Sequence, residues 1–289
     1  MCIRDREVIE MIAHLVSSSF LLILFAGAKA TEDFETRVDL AIEKGVRYLR
    51  GQMEKDPWSK APQKDYPMGR AAIEVYALLK SDIPVYDPVV YEALTFLEKL
   101  RPLKTYSVSL YLMALDAALS QLETDAALAR GKPQARIRVS SPLTSRLRKR
   151  LYEMANWLVK ARQIGMGRWN YGPSRPGTRY DNSNTQFAVL ALGVAARRGF
   201  PVPRAVWEEI AAHFLADQAK KGPKVDINVS FRKELPRSRG RTTAVFRRVG
   251  IEKPPEVHAR GWGYQQKGEK LTMTAAGLSS LILAREYLV

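Results

Sequence analysis

A chain of 289 residues with 46% apolar and 26% charged residues can bury a sizeable core, and its composition excludes collagen-like and low-complexity classes. Its formal charge of +16 is concentrated: Arg130 to Arg150 holds eight bases and no acid, Lys220 to Lys253 holds eleven bases against three acids, and the remainder sums to zero. The only cysteine is Cys2, so from residue 3 onward no disulfide or thiolate metal ligand is available.

The chain opens on a short apolar stretch, Leu15 to Phe25, that ends in the small-residue pattern Ala28-Lys29-Ala30. That stretch is shorter than the ~20 residues a spanning helix needs, so residues 1–30 read as a signal peptide cleaved before Thr31, with a retained membrane anchor as the alternative. The first ten residues balance acids against bases where a leader is normally basic; MCIRDR reads as an artefact in front of a start at Met11. Export to the periplasm or cell envelope is the expectation, and residues 31–289 form the folded domain.

Amphipathic patterns then follow one another with turn residues between them. Helices are expected over Thr36–Gln52, Met68–Lys80, Asp87–Leu100, Tyr106–Leu122, Ser145–Arg162, Asn184–Arg197, Pro203–Gln218 and Thr272–Tyr287. Asp87 can cap the third, with Pro88 in its first turn. The first, third, fifth and seventh carry a charged face; the others are Ala-rich and apolar nearly all round, which requires burial on every side. This strict alternation gives four outer-then-inner helical hairpins. Ala77-Leu78, Ala114-Leu115, Ala191-Leu192 and Ser280-Leu281 occupy equivalent inner positions, and the widening steps between them place the basic segments as insertions in the later copies.

The copies share a second mark. KGVRYLRGQMEKDPW (Lys44 to Trp58), NWLVKARQIGMGRW (Asn156 to Trp169), and HFLADQ at His213 with GWGY at Gly261 each run from a late outer-helix pair through Gln to Trp. A Gln amide there can satisfy orphan groups at helix ends while the Trp ring covers them. The pattern resembles the QW repeat of the squalene–hopene cyclase and prenyltransferase superfamily, over about Ala41 to Leu288. It looks most like secreted bacterial proteins containing prenyltransferase or squalene-oxidase repeats, through TYSVSLYLMAL (Thr105 to Leu115), DNSNTQFAVLAL (Asp181 to Leu192) and MTAAGLSSLILA (Met273 to Ala284). The resemblance implies an all-α fold, an α/α toroid of outer and inner helices. Four hairpins would make it incomplete, either an open arc or, since the sequence stops in AREYLV, a fragment.

What that resemblance implies about chemistry depends on matched residues. Cyclases protonate an alkene with the middle Asp of a DxDD-Thr motif. With Thr185 matched to the Thr, Asp181 keeps the first carboxylate, but Ser183 stands at the donor position, and a hydroxyl cannot replace a tuned carboxylic acid. The zinc site of protein prenyltransferases needs Asp, Cys and His, whereas this chain beyond its leader offers only His213 and His258, so no metal and no cofactor are expected. A polysaccharide lyase would need carboxylate with Arg or Tyr; Asp116, Arg179, Tyr180, Asp181 and Tyr264 are candidates that no spacing singles out.

Asp181 and Tyr264 are therefore weak catalytic candidates, and Trp169, Tyr171, Tyr180, Asn184, Trp262 and Tyr264 are candidates for binding a ligand. An enzyme acting on an isoprenoid requires a deep apolar pocket rimmed by Asp181, Asn184, Tyr171 and Tyr264. The plainer reading of Asp181-Asn182-Ser183 is a helix cap after the turn at Pro176-Gly177. The basic segments Arg130–Arg150 and Lys220–Lys253 suit an anionic polysaccharide or lipid surface; nucleic acid is the least favoured partner, since neither interleaves aromatics. The combined expectation is an exported toroid module that binds or scaffolds rather than catalyses.

Overall fold

The computed structural model describes residues 33–55, 66–130, 140–225, 257–266 and 268–289. The leader, Cys2, Trp58, residues 131–139 of the first basic segment and most of the second lie outside the described residues. Among the described residues the regular structure is helical apart from one two-residue antiparallel ladder. The helices are residues 33–55 (α1), Pro67–Lys80 (α2), Pro88–Lys99 (α3), Thr105–Ala129 (α4), Pro142–Ala161 (α5), Asn182–Arg197 (α6), Arg204–Asp217 (α7) and Leu271–Leu288 (α8). The ladder pairs β1 (Lys224–Val225) with β2 (Val257–His258) and so brackets the second basic segment.

Two compact units are present, one ending at Glu98 and one running from Lys99 to Val289. In the first, the Asp87 carboxylate accepts the Val89 amide (3.1 Å) ahead of Pro88, as the cap pattern requires, and also pairs with Arg50 of α1. The apolar faces of α2 and α3 supply Ala71, Ala72, Val75, Leu78, Val90, Ala93, Leu94 and Leu97, all fully buried.

In the second unit α6 packs against both α4 and α8; α5 lies against α4 and α6, and α7 against α8. Ala and Gly on the touching faces permit this close approach; at Gly193 an added Cβ would meet the Leu283 side chain of α8 at 3.2 Å. The α4 helix outruns its apolar pattern, continuing past Leu122 to Ala129. Its polar extension is held by neighbours, because Glu123 pairs with Arg198 beyond α6 and with Arg148 of α5. From Pro142 onward the basic segment Arg130–Arg150 forms the first half of α5, capped by Ser141 and Thr144.

A tryptophan clasp joins the end of α5 to the start of α6. The Trp169 indole N–H donates to Leu158 O (2.9 Å), one of the last-turn carbonyls of α5 that no helix amide can reach. The Trp169 amide donates to Thr185 Oγ1 (3.1 Å), that hydroxyl donates to Asp181 O (3.0 Å), and the Asp181 amide returns to Trp169 O (3.1 Å). The next copy repeats this bond for bond. Trp262 Nε1 donates to Phe214 O (2.8 Å), Trp262 N to Thr274 Oγ1 (3.2 Å), Thr274 Oγ1 to Lys270 O (2.9 Å), and Lys270 N to Trp262 O (2.9 Å).

The division of labour differs from the expected one. The indole itself satisfies the helix-end carbonyl, while the Gln amides serve the loops: Gln163 Nε2 donates to Arg179 O (3.0 Å) and Gln218 Nε2 to Arg260 O (3.0 Å). A second set of ties runs between copies. Tyr171 O accepts the amide of Thr105, first residue of α4, and Tyr264 O accepts that of Asn182, first residue of α6, both at 2.9 Å. The corresponding residue of α8, Leu271, is 89% exposed, and Leu278 and Ile282 on the same helix are also exposed.

The clasp makes Gly277 a sensitive position, since an added Cβ there would sit 2.5 Å from Trp262 Cδ2. Gly277→Ala is expected to destabilise the protein by about 1–3 kcal/mol in urea unfolding. Gly45→Ala, on a helix face with nothing within 4 Å of the new methyl, should instead stabilise by roughly 0.5–1 kcal/mol. Equal effects of the two substitutions would contradict this packing.

Candidate functional site: the turn before α6

Asp181 stands in extended backbone (φ −148°, ψ 122°) and its carboxylate caps α6, accepting the amides of Ser183 (2.8 Å) and Asn184 (3.2 Å). The Ser183 hydroxyl donates to the same Asp181 oxygen and accepts from the Tyr106 phenol of α4. Tyr106 meets Phe187 edge-on (4.7 Å between centroids) and lies 6.1 Å from the ring of Tyr171. Burial pushes the Tyr106 phenol up, the Ser183 bond acts against this, and the charges of Asp181, Tyr171 and Tyr264 raise it further. Tyr106, Ser183 and Asp181 thus form a hydrogen-bonded chain, with the half-exposed rings of Tyr171 and Tyr264 nearby.

A second, buried cluster lies beside it. Asp217, at the end of α7, accepts from the Tyr180 phenol and from Asn182 Nδ2 (2.6 Å), and that amide also reaches Gly263 O (2.9 Å). Asn182 Oδ1 faces His213 Nε2 at 2.8 Å. An amide oxygen only accepts, so His213 carries its proton on Nε2. Desolvation lowers the His213 pKa to about 4, with Asp217 acting against the shift and Arg168 with it. Burial, reinforced by the bond to Asp217, holds Tyr180 as a neutral phenol well above its usual range. Arg168 covers the Tyr180 ring, 4.2 Å from its centroid, and is itself held by Gln163 Oε1 (2.8 Å).

The sequence candidates therefore separate. Tyr171 and Tyr264 are exposed, and Asp181 lies between them and the helix it caps. Trp169, Trp262 and Tyr180 are buried in the clasps and the Asp217 cluster. Asn184 is fully buried and does not reach the rim; neither of its amide atoms has a hydrogen-bond partner among the described residues. Asp116 lies on α4 in an ion pair with Arg198, and His258 bonds Gly222 O from β2. A shallow, open depression lies on the surface of α5, lined by Ser145, Arg148, Lys149, Tyr152, Glu153 and Asn156.

Tyr106 and Asp217 were not singled out by sequence reasoning, and Asn182 only as part of a helix cap. The i, i+4 spacing of His213 and Asp217 was the available signal, because it sets both groups on one face of α7. Among the described residues no helix is long and apolar enough to cross a membrane, and no group of three or more His, Cys, Asp or Glu side chains could hold a metal ion. The chain matches no protein-family model, no curated protein and no solved structure.

The buried His213 has a thermodynamic consequence. Between pH 6.5 and about 4 the unfolded chain holds a proton that the folded chain lacks, so stability falls as pH drops through that window and levels off below it. The slope is at most about 1.4 kcal/mol per pH unit. His213→Gln, whose amide can still donate toward Asn182, is expected to remove this component from pH-dependent thermal unfolding. An unchanged slope in the variant would contradict the assignment.

Proposed function

We propose that the chain is an exported α/α-toroid module of the squalene–hopene cyclase and prenyltransferase type, built from four outer/inner hairpins. In this reading it serves as a binding or scaffold element of the cell envelope and carries out no cyclase or prenyltransferase reaction. The repeated clasps at Trp169 and Trp262 support the repeat architecture.

The observation that carries the functional half is Ser183. At the position where a cyclase relative would hold its proton donor, a hydroxyl is fixed between the Tyr106 phenol and the Asp181 carboxylate. An alkene is protonated only by a strong, preorganised acid, and a serine hydroxyl held by its neighbours is not one. Asp181, the retained carboxylate, has one oxygen committed to the first turn of α6. The rim it shares with Tyr171 and Tyr264 offers hydroxyls and aromatic faces, which suit recognition of a polar group.

The test is product analysis after incubation of the purified protein with squalene and, separately, with a polyprenyl diphosphate. No conversion above a heat-denatured control is expected. Conversion that Asp181→Asn abolishes would overturn the proposal in favour of an isoprenoid-acting enzyme.

A further inference from the structure

Counting from the clasp threonines Thr185 and Thr274, Leu278 and Ile282 of α8 stand where α6 has Val189 and Gly193. On α6 that side is covered: Val189 is fully buried, and Gly193 lies against α8, its carbonyl accepting from the Tyr287 hydroxyl (3.1 Å). On α8 the same side is open. Leu271, Ala275, Leu278, Ile282, Arg285 and Val289 are exposed and follow one another at alternating steps of four and three residues. That spacing holds them in one seam along the helix, which is about 27 Å long at 1.5 Å per residue. The seam is nearly uncharged, since α8 carries one base, Arg285, and one acid, Glu286.

We propose that this side of α8 is the interface between two copies of the chain, packed antiparallel about a two-fold axis; the inference goes beyond the reading of the turn before α6 and holds whether or not that turn catalyses. An antiparallel pair closes the seam on itself, with Leu278 opposite Ile282, Leu271 opposite Val289, and the long Arg285 side chain lying over Ala275. The charges at the helix ends agree with that direction. Lys270 precedes α8 and Glu286 lies in its last turn; both are exposed, and neither is in an ion pair among the described residues. Antiparallel packing brings each lysine toward the other copy's glutamate and sets each helix N-terminus beside a C-terminus, whereas parallel packing opposes like charges and like dipole ends.

Other occupants fit less well. The approach of α8 to α6 depends on Gly193, where an added Cβ would meet Leu283 at 3.2 Å, and α8 places Ile282 at the equivalent point. A neighbour on α8 must therefore pack against side chains, and a further helix seated as α8 sits on α6 would clash. The helix α1 also exposes Phe34, Val38 and Ile42, but Glu35, Arg37, Asp39 and Glu43 are interleaved with them, a poor match to an uncharged seam.

Sedimentation velocity of the full chain over a dilution series measures the association. A monomer–dimer equilibrium is expected. Leu278→Glu, which brings two carboxylates to the centre of the seam, should weaken it more than about tenfold, whereas Ile42→Glu should leave it within about twofold. Leu278 and Lys270 are exposed, so variants there should keep the parent's unfolding midpoint under conditions where both are monomeric. Lys270→Glu should weaken the dimer about threefold or more, and adding Glu286→Lys should restore it to within about twofold of the parent. A parallel pair gives no such rescue, because each single reversal there exchanges one like-charge pair for another. The proposal is overturned if the chain stays monomeric throughout, if Leu278→Glu associates as tightly as the parent, if Ile42→Glu disperses the dimer, or if the second charge reversal rescues nothing.

Discussion

The second unit depends on one hydrogen bond made twice, from a buried indole N–H to a carbonyl in the last turn of α5 and again of α7. A helix that ends against another element leaves four carbonyls without amide partners, and such groups cost stability when they are buried away from water. Trp169 and Trp262 each answer one of these carbonyls and at the same time fill the space beneath it. Because the tryptophan amide and carbonyl also bond the start of the next helix, α6 or α8, one residue ties the end of one helix to the beginning of the next. The ties from Tyr171 and Tyr264 to the first residues of α4 and α6 then set the spacing between copies.

Seen this way, the polar residues before α6 belong first to the clasp. Asp181 supplies the carbonyl that Thr185 needs, the amide that Trp169 needs and the carboxylate that caps the helix. Asn182 bridges its helix to Asp217, His213 and Gly263. A cluster so fully engaged has little freedom to take part in proton transfer, and what it leaves toward solvent is the phenol-and-ring rim of Tyr171 and Tyr264.

Much of this was legible in the residues. Apolar periodicity placed the eight helices among the described residues, and Asp87-Pro88 and Asp181 marked caps, because both signals arise within a few residues of chain. The Gln and Trp positions were legible as a repeat, but their roles were not. Which of the two side chains meets the helix-end carbonyl depends on the path of the intervening loop, and spacing does not encode that path. Asp217 was hidden for a related reason: its partners Tyr180 and Asn182 are far off in sequence. The basic run at Arg146 to Arg150, counted in the first basic segment, also lay in the expected helix Ser145–Arg162, and it is helical, with Leu147, Leu151 and Met154 burying the other face.

The account stands on the equivalence of the two clasps, and the most direct measurement of it is urea unfolding of Thr185→Val and Thr274→Val. Each substitution keeps the shape of the side chain and removes the acceptor of a tryptophan amide, at Trp169 and Trp262 respectively. The account predicts that both destabilise the protein, each by about 1–3 kcal/mol, with the more deeply buried Thr185 bond costing more. Stability unchanged in either variant would contradict it.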